Sequence, residues 1–155
     1  MKVERRLFRI GIIVVSASIV ATAVANQLMV PDIESAEKKV FSGFAELERL
    51  NAFVLASDGT SLGLIKKGFD KNDLGNAYGK GSRYDTSGLF NPYSDYGSKY
   101  SMKSAFNDIA SDPPEIFVRQ GGSTYSVGLL TTNKNVATKG QRINPYLLKM
   151  YLGIE

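Results

Sequence analysis

Apolar and polar positions alternate in four different ways along this chain. Val40, Phe44 and Leu47 recur at helical spacing, with Phe41 and Leu50 beside them. Lys38, Lys39, Glu46, Glu48 and Arg49 take the other side, so the pattern predicts a helix over 35–50 within a connector spanning 32–51. Asp32 or Ser35 can cap it. The period then shortens. Phe53-Val54-Leu55-Ala56-Ser57 runs into Asp58-Gly59 and on to Leu62-Gly63-Leu64-Ile65. Ile116-Phe117-Val118 likewise runs into Gly121-Gly122 and on to Tyr125-Ser126-Val127-Gly128-Leu129-Leu130. Glycine turns between apolar runs predict hairpins. Gly63 and Gly128 fall at matching places in the second strands, where a glycine marks a bulge or a close backbone approach. Asn144-Pro145 reads as a cap and first helical position, and Gly153 as the stop of a short apolar helix carrying Leu147, Leu148, Tyr151 and Leu152. That helix is expected to bury against the sheet. The predicted fold class is α+β: a small antiparallel sheet from two related hairpins, flanked by an N-terminal and a short C-terminal helix. Residues 52–155 then form one small domain with a coil-rich central insertion.

That insertion, residues 69–112, keeps neither period. It repeats a unit of 15 to 16 residues about three times. Phe69-Asp70, Tyr84-Asp85 and Tyr100-Ser101 open the units, and Asn76, Asn91 and Asn107 follow seven positions after each aromatic. Two joins nearly coincide, Gly81-Ser82-Arg83-Tyr84 and Gly97-Ser98-Lys99-Tyr100. Asn and Ser side chains hydrogen-bond local backbone, so such coil can satisfy its own amides. Phe90 and Phe106, each one residue before its asparagine, are the expected inward residues. An exposed tyrosine surface is the candidate ligand site, with Tyr84, Tyr93, Tyr96 and Tyr100 as its residues. Pro113-Pro114 closes the region and forces an extended path into the second hairpin.

Charge changes the picture at one end only. Lys2, Arg5, Arg6 and Arg9 precede 16 uncharged, mostly apolar residues, Ile10 to Ala25. Ala23-Val24-Ala25 supplies a small-x-small cleavage pattern, so residues 1–25 read as a secretory signal peptide. The alternative is an uncleaved anchor through residues 7–30. Either places the remainder outside the cytoplasm, in the periplasm or at the cell surface, or held in the inner membrane by the N-terminal helix. From Asn26 onward there are 15 basic and 14 acidic residues, a net of +1, which argues against a nucleic-acid partner.

The chain has no cysteine and no histidine. Thiolate metal sites, disulfides and the commonest general base are therefore excluded. Gly75 to Ser82 fails as a phosphate loop on its glycine spacing. Asp70-Lys71-Asn72-Asp73 resembles the start of a calcium loop, but Leu74 occupies a ligand position. No catalytic centre, metal site or cofactor is assigned. The expected role is a non-catalytic cell-envelope protein, structural or binding polysaccharide or peptide. Two alternatives are a hydrolase of wall polysaccharide using two of Asp70, Asp85, Asp95, Asp108 and Asp112, and a membrane-anchored accessory subunit.

The stretch Asn91-Pro92-Tyr93-Ser94-Asp95-Tyr96-Gly97-Ser98-Lys99-Tyr100-Ser101, then Ser104-Ala105-Phe106-Asn107 and Pro113-Pro114, resembles segments of exported bacterial proteins of unassigned function. In those, Tyr-Gly-Ser and Ser-x-x-Asn units lie between a leading Asp-Gly turn and a later Pro-Pro strand. The resemblance covers roughly residues 53–133, and the first unit departs from it with Gly75-Asn76-Ala77-Tyr78. It implies export and a shared architecture, and brings no activity with it.

Overall fold

The computed structural model describes residues 33–155; the predicted leader, its cleavage point and the Asp32 cap lie outside them. Helix α1 (Ile33–Arg49) buries Ala36, Val40, Phe44 and Leu47 on one face. It stops where Asn51 turns left-handed (φ 51°). The Asn51 N–H donates to Glu48 O at 3.0 Å and the Ala52 N–H to Leu47 O at 2.9 Å, so the last carbonyls are closed off by a Schellman turn.

The sheet has five strands in the order β2-β1-β3-β4-β5. β1 (Phe53–Leu55) pairs antiparallel with β2 (Ser61–Leu64), and β3 (Glu115–Gln120) with β4 (Ser123–Leu130). β1 and β3 join them, Val54 facing Ile116. Both ladders shift register opposite a glycine. Gly63 faces Val54 and Gly128 faces Ile116, and each irregularity begins at that pair. Gly63 has φ 131°, which side chains rarely adopt. At Gly128 an added Cβ would lie 2.4 Å from Gln141 O. That missing side chain lets β5 (Gln141–Ile143) approach β4.

The class is α+β. The expectation of a wholly antiparallel sheet fails at β5, which runs parallel to β4 with Leu130 facing Ile143. Three residues show no readable alternation, and a parallel edge strand depends on what the chain does between strands. Here residues 131–140 cross back along the central coil. Thr132 N–H donates to Ala105 O and the Asn133 side chain to Ala110 O, both at 2.9 Å.

Helix α2 (Pro145–Leu152) has Asn144 as its cap, accepting from Tyr146 N–H, and ends at Gly153 (φ 71°). Its aromatic partners lie on α1 and the central coil, where the expectation was burial against the sheet. The Tyr151 ring stacks on Phe44 at 5.4 Å, and its hydroxyl donates to Glu48 at 2.5 Å. Burial, and then the Glu48 carboxylate, push the Tyr151 phenol well above its usual range.

One core joins all of these elements. Phe44, Leu47, Val54, Ile116, Leu130 and Leu148 share it with Leu74, Leu89, Phe90, Ala105 and Phe106 from the central coil. The coil is thus a layer of the core rather than an appendage. It also covers the free edge of β2. Leu64 N–H donates to Asn72 O and Leu74 N–H to Leu64 O, at 2.8 and 2.9 Å. An open strand edge is thereby blocked.

Candidate functional site

Each coil unit is held by its asparagine. The side-chain amide of Asn76, Asn91 and Asn107 donates to the carbonyl six residues earlier, Asp70, Asp85 and Ser101, at 3.1, 2.8 and 2.9 Å. The side-chain oxygen accepts the N–H two residues on, from Tyr78, Tyr93 and Ile109, at 2.9, 2.9 and 3.1 Å. The asparagine's own carbonyl takes the N–H three residues on, from Gly79, Ser94 and Ala110. An asparagine is needed because the clamp must donate and accept at once. Serines finish the joins, Ser82 and Ser98 accepting the N–H of Tyr84 and Tyr100 at 3.1 Å. The matching Gly81 and Gly97 have no room for a side chain. A Cβ would lie 2.3 Å from Leu74 O in one and 2.2 Å from Asn91 O in the other.

These clamps sort side chains by position in the unit. Two residues before the asparagine, Leu74, Leu89 and Ala105 are fully buried. Phe90 and Phe106 point inward as expected and meet edge to face at 6.4 Å. Seven residues before it, Phe69, Tyr84 and Tyr100 are exposed, and two residues after it so are Tyr78, Tyr93 and Ile109. Six large apolar side chains therefore stand in solvent at two repeated positions, on backbone that is fixed from within.

Of the four tyrosines singled out from the sequence, three belong to this row: Tyr84, Tyr93 and Tyr100 are 81%, 93% and 91% exposed. Tyr96 does not. It is 8% exposed, turned inward by Ser94, whose hydroxyl accepts both Tyr96 and Gly97 N–H. Its own hydroxyl lies 3.0 Å from Asp58 Oδ2 and 3.1 Å from Thr60 Oγ1 in the first hairpin's turn. Lys103 Nζ reaches the same Asp58 oxygen at 2.9 Å. Lys103, then Thr60 and Tyr96, hold the Asp58 carboxyl far below the usual carboxylate range. Tyr96 is a tether between coil and hairpin. Phe69, Tyr78 and Ile109 were not foreseen, although their place in the unit, counted from the asparagine, matches that of the three exposed tyrosines.

Tyr78 and Tyr84 wall a trough of about 570 Å³ between the first two units, with Lys71, Lys80 and Asp85 beside them. Burial raises the Asp85 carboxyl, but the Ser87 N–H and Lys80, 3.5 Å away, leave it lowered overall. Asp58 and Asp85 are both held ionised, the reverse of what a proton-donating acid needs. Asp73 turns inward, one oxygen accepting Asp70 N–H at 3.1 Å and the other without a partner. Leu74, beside it, goes to the core. Among the described residues no three carboxylates gather as a metal site, and no helix is long and apolar enough to cross a membrane. No protein-family model, curated protein or solved structure matches the chain.

Proposed function

We propose that the chain is an exported, non-catalytic module of the bacterial cell envelope that binds extended polysaccharide along its outward aromatic row. One observation carries the reading: Tyr84, Tyr93 and Tyr100, with Phe69, Tyr78 and Ile109, are exposed at equivalent positions on clamped backbone. Exposed aromatic rings suit the C–H faces of sugar rings. A peptide's side chains ask for deeper apolar pockets. Repetition along the coil suits a repeating polymer. Export rests on Lys2, Arg5, Arg6 and Arg9 ahead of the apolar run and Ala23-Val24-Ala25. We read the two hairpins as one design used twice, serving as the frame that holds the coil.

The test is co-sedimentation of the purified protein with insoluble wall polysaccharide, beside Tyr84→Ala/Tyr93→Ala. On the scale of a nucleobase stacked on an aromatic side chain, about 1–3 kcal/mol by truncation, the double variant should lose at least about tenfold in retention. Equal retention of both proteins, or retention only on protein-bearing fractions, defeats the reading.

A further inference from the structure

A second concavity, about 320 Å³, lies between the coil and α2. Its floor is aromatic: Phe106 meets Phe90 at 6.4 Å and Tyr146 at 5.1 Å, both edge to face. Its rim is basic, with Arg83, Lys99 and Lys149 against the single acidic side chain of Glu155. Resting on the polysaccharide reading above, we propose that the groove selects an acidic polysaccharide, taking a sugar carboxylate at Arg83 and Lys99 while neighbouring sugars lie on the tyrosine row.

Three observations support this. Arg83 and Lys99 hold the same position in the two matching joins, each directly before an outward tyrosine. Cation and ring therefore recur together with the unit, and the Arg83 guanidinium stands 5.7 Å from the Tyr84 ring centre. The ion pairs among the described residues are Arg49–Glu46, Lys80–Asp85 and Lys103–Asp58, so none of the three rim cations is in contact with a carboxylate, and Glu155 is the one acidic side chain lining the groove against them. Finally, the chain from Asn26 onward carries a net charge of only +1, so this positive charge is gathered locally. Like charges around an apolar floor repel until an anion enters. Arginine's planar fork matches a carboxylate. A groove this small, with no long basic stripe, favours a uronate over a nucleic-acid backbone.

Calorimetric titration of the full chain with an oligogalacturonate, a neutral cello-oligosaccharide of equal length and a single-stranded oligonucleotide tests it. The uronate should bind at least about tenfold tighter than the neutral sugar, and its affinity should fall as salt rises. Arg83→Gln/Lys99→Gln should bring it down to the neutral level, while Lys99→Arg keeps the preference. Equal affinity for the two sugars overturns the proposal and leaves the aromatic row standing. Binding of neither sugar overturns both. A tighter oligonucleotide reassigns the groove to nucleic acid and overturns the proposal.

Discussion

Along β3 every residue from Glu115 to Gln120 faces a partner on β4 across the ladder. Between Phe69 and Asp112 no such ladder exists, and side chains stand in for the missing strand. In the hairpins the backbone satisfies itself, so side chains are left to pack. In the coil Asn76, Asn91, Asn107, Ser82, Ser94 and Ser98 are used up on backbone. The coil is still as much part of the core as the sheet is. What the clamps add is freedom for the backbone to turn every few residues, so apolar groups point inward and outward within one unit. A strand does this on two flat faces, one of which here carries the stacked pair Phe53 and Phe117, 5.9 Å apart.

The comparison breaks first if the coil is not a true core layer. Leu89→Ala empties a fully buried site and should cost about 2–5 kcal/mol, as much as Leu62→Ala in β2. Urea unfolding measures both. A loss under about 1 kcal/mol for Leu89 with the full loss for Leu62 would separate the two regions energetically. Next comes the clamp. Asn91→Ala leaves the Asp85 carbonyl and Tyr93 N–H without their partner and should cost about 1–3 kcal/mol. Thr124→Ala, on an exposed strand position, should stay within about 0.5 kcal/mol. Equal effects would mean that water replaces the clamp.

The smallest effect concerns the tether. Asp58 titrates lower in the folded chain than in the unfolded one, where a carboxyl protonates near about pH 4. The unfolded state therefore takes up the proton first as pH falls. The stabilisation is complete above about pH 5 and fades below about pH 4, toward the folded titration point. The unfolding midpoints of the native chain and Asp58→Asn should accordingly converge on acidification, and a gap constant from pH 7 to pH 3 would show the tether to be inert.

How much of this was legible without coordinates depends on how local each signal is. The Asn144-Pro145 cap, the Gly153 stop, the Asp58-Gly59 and Gly121-Gly122 turns and the bulge glycines answer to backbone geometry within a few residues, and they were read correctly. The side-chain amides of Asn76, Asn91 and Asn107 reach back only six residues, so these bonds too are local in the chain. Tyr96 was not legible: it stands five residues after Asn91, at neither of the two outward positions, and its burial is completed by Asp58, 38 residues away, which receives its hydroxyl. Strand β5 was not legible either. Gln141-Arg142-Ile143 has no strand pattern of its own, and it pairs because Gly128 leaves room and the coil guides the crossover. The groove of Arg83, Lys99 and Lys149 draws on residues up to 66 positions apart. Local sequence settles which groups a stretch can satisfy by itself; which of the remaining groups meet is decided only when distant surfaces exclude water together.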